Sequence, residues 1–304
     1  MQFATSPRRL LKIIPTTIIC GVVALYVVFS VLIGLQQDRL VFPTPSDYSK
    51  LTPASIGLPF EDLHIPVAAN EQIHAWYIPA ANPSAKVIVY FHGNAYTIED
   101  ALSGEIRSLR DTGASLLIVD YRGYGGSSPV QTNGIRACED ARAAMRYLKE
   151  QRNVRVEDVV IVGRSIGTGV AAQLAVENPK AAGLVLLSPF TNVYAIARQD
   201  KLMRWLPLKL MGPRNKLDTL GKIGQIRVPL MLIVGTQDSL TRPWMAQTLF
   251  EHANQPKQLY LVPGADHNDL WDVGGRDLVS RLSAFLAALI KEERYDTFID
   301  SNEF

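Results

Sequence analysis

Six short runs, "KVIVYF" (86–91), "SLLIVDY" (115–121), "DVVIVG" (158–163), "GLVLLS" (183–188), "PLMLIVG" (229–235) and "QLYLVP" (258–263), are apolar almost without interruption. A strand with one wet face alternates polar and apolar residues, so runs of this kind belong to strands buried on both faces, as in a parallel sheet. Helical patterns separate them. The clearest is 138–152, where Ala141, Ala144, Met145 and Leu148 recur at three- and four-residue spacings; others cover 98–111, 166–178, 243–254 and 276–291. Strand alternating with helix predicts an α/β domain built on a mostly parallel, doubly wound sheet with helices on both faces. Ahead of it, "EDLHIPVA" and "QIHAWYIPA", either side of Asn70, predict an antiparallel pair. Ligands of such sheets bind beyond the carboxyl ends of the strands, which is where the chemistry is to be sought.

Upstream, "IIPTTIICGVVALYVVFSVLIGL" (13–35) carries no charge over 23 residues. At about 1.5 Å rise per residue such a helix spans a hydrocarbon core of about 30 Å. It outruns the apolar stretch of a signal peptide and lacks the small residues of a cleavage site. "SPRRLLK" meets the spacing of a twin-arginine signal only imperfectly. Arg8, Arg9 and Lys12 precede the span and Arg39 alone closely follows it. The positive-inside rule therefore predicts a single-pass membrane protein with residues 1–12 in the cytoplasm and the remainder on the opposite side, the periplasm in a bacterium. Residues 36–59, rich in Pro, Ser and Thr, read as a linker, 60–292 as the folded domain and 293–304 as a polar tail. A net charge of +2 gives no basic footprint for nucleic acid. Cys20 lies in the apolar span, out of reach of Cys138, so no structural disulfide is expected.

The run 158–163 leads into "VGRSIGTG" (162–169), which raises three possibilities. A P-loop needs a lysine that is missing here. A dinucleotide fingerprint taken through Gly167, Gly169 and Ala172 would begin inside the helix, and the next strand ends in Leu187, Ser188 and Pro189 without an acidic residue. Gly163-Arg164-Ser165-Ile166-Gly167, between a strand and a helix, fits Gly-x-Ser-x-Gly, a turn that projects its serine above the sheet. A serine hydroxyl is a weak nucleophile and needs a base, which a carboxylate orients. Of the five histidines, His64 and His74 fall in the early hairpin and His252 late in a helix. His92, in "YFHGN", is read as holding its loop. His267, in "PGADHND", follows the last run on the side of the serine. Asp238, in "GTQD", follows the run before it and is preferred as the orienting acid over Asp218, Asp266 and Asp269. Backbone N–H groups of Ile166, next to the serine, and Asn94, after the tight turn at Gly93, are the candidates for an oxyanion hole. Nothing in the pattern calls for a metal or an organic cofactor.

"QDRLVFPTP", "YFHGNA", "DYRGYGGSS", "GRSIGTGVA", "LSPFTN", "GTQDSL" and "GADHND" together make the chain resemble the α/β-hydrolase superfamily across about 60–292. More narrowly, it is similar to membrane-anchored serine hydrolases related to protein depalmitoylases. The resemblance implies an α/β-hydrolase fold with a short cap, a Ser165, Asp238, His267 triad in that chain order, and hydrolysis of carboxylic ester or thioester bonds. The implied partners are an acyl ester or thioester, lipid-derived in view of the tether, and a membrane. Arg122 and Tyr124 of "DYRGYGGSS" are expected to organise the loop behind the site. The segment 190–224 stands where such folds insert a cap. Its mixture of Met203, Trp205, Leu206, Leu208 and Leu210 with Arg198, Lys201, Arg204, Lys209, Arg214 and Lys216 suits either a cover over the pocket or a surface resting on lipid headgroups. A serine peptidase with the same triad and a non-catalytic, membrane-tethered interaction module are the alternatives.

Overall fold

The structure is a computed structural model and describes residues 7–45, 51–82, 86–201, 203–206, 217–290 and 298–299. Its strands are β1 (Glu61–Ala68), β2 (Glu71–Ile78), β3 (Val87–Phe91), β4 (Ser115–Val119), β5 (Val159–Arg164), β6 (Gly183–Leu187), β7 (Leu230–Gly235), β8 (Lys257–Val262) and β9 (Phe298–Ile299). They form one sheet in the order β1-β2-β4-β3-β5-β6-β7-β8-β9. β1 with β2 and β2 with β4 pair antiparallel, and every other pairing is parallel. All six apolar runs are strands. Their side chains divide by the two-residue period: Val87, Val89, Phe91, Val159 and Ile161 join one core, Ile88, Tyr90, Val160 and Val162 the other.

The helices are α1 (Pro7–Val41), α2 (Glu105–Asp111), α3 (Gly134–Gln151), α4 (Ile166–Glu177), α5 (Val193–Ala197), α6 (Leu220–Ile223), α7 (Pro243–His252) and α8 (Leu270–Ile290). α3, α4 and α7 cover the first core and α2 and α8 the second, the double winding expected from the alternation. Asn133 starts α3 by accepting hydrogen bonds from the N–H groups of Ile135 and Arg136. α8 breaks at Gly275, φ 46°, and the helical pattern at 276–291 corresponds to the part after the break.

The N-terminal helix outlasts the apolar run. It continues from Leu35 through Gln36, Gln37, Asp38 and Arg39 to Val41, because no residue breaks the helix before Pro43. The next residue, Phe42, is fully buried and meets the Tyr121 ring edge-on at 6.2 Å. The chain is thus fastened to the domain at Phe42, inside the stretch that reads as a linker. Of that stretch, residues 46–50 lie outside the described residues. So do Leu208, Leu210, Lys209, Arg214 and Lys216 of the cap, and the tail except Phe298 and Ile299, which pair with Gln258 and Leu259 as the edge strand.

Candidate active site

β5 is the centre of the sheet, and the chain turns from its end into α4 through Ser165, whose φ of 51° and ψ of −121° lie outside the regions open to ordinary residues. The glycines either side make the turn possible. A Cβ at Gly163 would run into the carbonyl of Gly167, and one at Gly167 into the carbonyl of Phe91. The turn lifts the Ser165 hydroxyl to 3.1 Å from His267 Nε2.

His267 follows β8 and Asp238 follows β7, so two parallel strands deliver them to the same end of the sheet. His267 Nδ1 lies 2.9 Å from Asp238 Oδ2, and both side chains are buried. With a proton on Nδ1 donated to that carboxylate, Nε2 is left to accept from Ser165. The carboxylate is held from its own turn: Oδ1 accepts from the N–H groups of Leu240 at 3.0 Å and Thr241 at 2.6 Å, and Oδ2 from the Thr241 hydroxyl at 2.8 Å. Burial pushes this carboxyl up, but the bonds from His267 and Thr241 outweigh it, and Asp238 ionises below its ordinary 3.8. The rival acids are engaged elsewhere. Asp266 accepts from the N–H groups of Ser239 and His267, and Asp269 from that of Asp266, which shapes the loop and leaves the imidazole to Asp238.

Two residues that motif reading passed over complete this arrangement. Thr241 stands three positions after Asp238, the spacing of a side chain that caps its own turn, and this was its signal. Arg164, the variable position of Gly-x-Ser-x-Gly, has no sequence signal. It is buried, ion-paired to Glu105 at 3.0 Å, and donates to the carbonyl of His267 at 3.1 Å. Glu105 is buried too and also accepts from the Tyr90 hydroxyl.

Asn94 and Ile166 both line the cavity at Ser165, and Ile166 opens α4, whose first N–H groups have no partner within the helix. His92 is bonded within its own surroundings, as the loop-holding reading expects. Its Nδ1 is 2.7 Å from the Gly93 carbonyl and its Nε2 3.4 Å from buried Asp120, which fixes the loop carrying Gly93 and Asn94. Behind that loop, Arg122 bonds Glu71, Glu139 and Asp140 at 2.5, 2.7 and 2.6 Å, and Tyr124 packs on the His92 ring.

The cavity holds about 370 Å³, within the range of small-molecule sites. Phe190, Val193, Tyr194 and Met203 of the cap form part of its wall, so this portion of the cap covers the pocket. Ile33, Gln37, Leu40 and Val41 of α1 also line it, which the reading of 13–35 as a span and 36–59 as a linker did not foresee.

Residues 82–219 match the family described as serine aminopeptidase, S33. A Mycobacterium tuberculosis protein is 32% identical over 285 residues, spanning 90% of this chain and 95% of that one. Human alpha/beta hydrolase domain-containing protein 17B is 31% identical over 209 residues, 68% of each chain. Among solved structures, an esterase of Pyrococcus furiosus superposes with a TM-score of 0.70 at 23% identity, covering 81% of this chain and 97% of that one. Sheet order, elbow and these likenesses converge: the chain belongs to the α/β-hydrolase superfamily.

Proposed function

We propose that this chain is a membrane-anchored serine hydrolase that cleaves carboxylic ester or thioester bonds through an acyl-enzyme. The observation that carries the reading is the unbroken chain of contacts from Ser165 Oγ to His267 Nε2 at 3.1 Å and from His267 Nδ1 to Asp238 Oδ2 at 2.9 Å. Ser165 attacks the carbonyl carbon as its proton passes to Nε2, and Asp238 stabilises the imidazolium. The N–H groups of Ile166 and Asn94 receive the oxyanion. The intermediate collapses with cleavage of the C–O or C–S bond, and His267 protonates the departing alcohol or thiol. Water then gives a proton to His267 and its oxygen to the acyl carbon; the carboxylic acid leaves and Ser165 recovers its proton.

Anchoring rests on α1, which is long and apolar enough to cross a membrane by length and composition, and orientation on the basic residues before it. The S33 description favours one other reading, peptide bond cleavage by the same three residues.

The test is Ser165→Ala on p-nitrophenyl butyrate. Turnover is expected to fall about 10⁴- to 10⁶-fold, as with other triads, and fluorophosphonate labelling to disappear. Undiminished turnover would refute the mechanism. A panel of acyl esters, acyl thioesters and aminoacyl amides separates the esterase from the peptidase.

A further inference from the structure

From Ile18 to Phe29 every residue of α1 is exposed, apolar side chains included, as expected of a helix surrounded by lipid. At Ser30 this changes. Ser30 is buried and Ile33, Gly34, Gln37 and Val41 are half-buried or better, spaced at three and four residues along one face. That face is the one that lines the cavity at Ser165. A second contact lies further up the helix, where the Tyr26 hydroxyl donates to the carbonyl of Trp205 in the cap at 2.8 Å, while the indole of Trp205 is 70% exposed.

These contacts determine how deep the domain sits. Lys12 is the last charge before the apolar run, and from Ile13 to Leu25 the helix rises about 20 Å. A hydrocarbon core is about 30 Å thick. The missing length, about 10 Å, has to come from the residues after Tyr26, which carries hydrocarbon depth to about Ile33. Trp205, beside Tyr26, and the first cavity residue, Ile33, therefore lie at the membrane, and the exposed apolar residues Leu40 and Leu240 line the same cavity. Of the cavity's polar side chains, Gln37 donates to the Gly34 carbonyl and Asp200 accepts from the Met203 N–H; besides Asn94, Ser165, Tyr194 and Thr241, the rest of the lining is apolar.

We propose that the anchor helix is one wall of an acyl-chain site. The hydrocarbon chain of a bilayer-resident ester or thioester lies between Ile33, Leu40 and Val41 of α1 and Ile196, Ala197 and Met203 of the cap, and reaches Ser165 from the bilayer. As a statement about substrate this rests on Ser165 being the acyl acceptor. As a statement about binding it does not.

The full-length protein in lipid nanodiscs provides the test, with butyryl, octanoyl, dodecanoyl and palmitoyl p-nitrophenyl esters. Each methylene that enters the site raises kcat/KM about fourfold. Ile33→Trp, which fills the wall, is expected to lower the dodecanoyl-to-butyryl ratio by at least about tenfold. Ile33→Ala, which widens it, is expected to raise the palmitoyl-to-dodecanoyl ratio. Val22→Trp, on the exposed stretch of α1, leaves the chain-length profile as it is. A wild-type profile in both Ile33 variants would overturn the proposal.

Binding of a pyrene-labelled fatty acid to full-length Ser165→Ala protein gives a second readout that needs no turnover. Affinity about tenfold weaker on adding Ile33→Trp supports the site even if no ester is hydrolysed, in which case only the hydrolase reading falls. Ser165-dependent hydrolysis with chain length and binding indifferent to Ile33 leaves the hydrolase reading standing and removes this one.

Discussion

Between Gly163 and Ser165 stands a buried arginine that touches neither the cavity nor the hydroxyl. Arg164 ties Glu105 of α2 to the loop of His267, so the position of that imidazole depends on an ion pair formed behind it. Removing one member of a buried pair leaves the other charge uncompensated, whereas removing both is far less damaging. Arg164→Met should therefore destabilise the fold by about 3–5 kcal/mol. Arg164→Met/Glu105→Leu should cost less than the two single changes together, a coupling that denaturant titrations of the four proteins measure. Where Arg164→Met stays folded, turnover should fall about 10- to 100-fold, because His267 loses its support at the backbone. Additive stabilities would mean that the pair is not a unit.

At the scale of the element, the turn from β5 to α4 holds a residue in a conformation that costs about 1–3 kcal/mol. Ser165→Ala and Ser165→Gly both delete the hydroxyl, but only glycine accepts φ 51° without a clash at Cβ. After glycine's extra chain entropy, Ser165→Gly should remain more stable than Ser165→Ala by about 1 kcal/mol, which for a domain of this size is roughly 2–4 °C in Tm. Both should be inactive, and equal melting temperatures would show that the turn stores no strain. The same logic explains why the two flanking glycines cannot be replaced: the strand and helix approach too closely there for a Cβ.

Taken whole, the molecule has its site at the carboxyl end of a sheet and its long apolar helix rooted in that same end through Phe42, Val41 and Leu40. For the proposed anchor, sidedness decides which solution or leaflet the site faces. An alkaline phosphatase fused after Phe304, which matures only outside the cytoplasm, should be active in a bacterial host, given Arg8, Arg9 and Lys12 before the span. An inactive fusion, with activity restored by fusing the reporter at the N-terminus, would reverse the orientation.

Local chemistry made much of this readable in one dimension. Apolar runs such as Val159–Ile161 and Leu184–Leu187 suit strands buried on both faces, and Gly163, Ser165 and Gly167 in that setting fit a tight turn, since backbone sterics and the period of a strand act within a few residues. Asp238 and His267 were readable as candidates because a parallel sheet sends successive strand ends to one edge. Their pairing through Nδ1, the grip of Thr241 and the support from Arg164 were decided by tertiary structure, because they depend on which residues, distant in sequence, converge within about 3 Å. The same holds for α1. A run of apolar residues looks alike to lipid and to a pocket, and only the packing of Ile33, Gln37, Leu40 and Val41 beside Ser165 makes the end of the apolar helix part of the cavity wall.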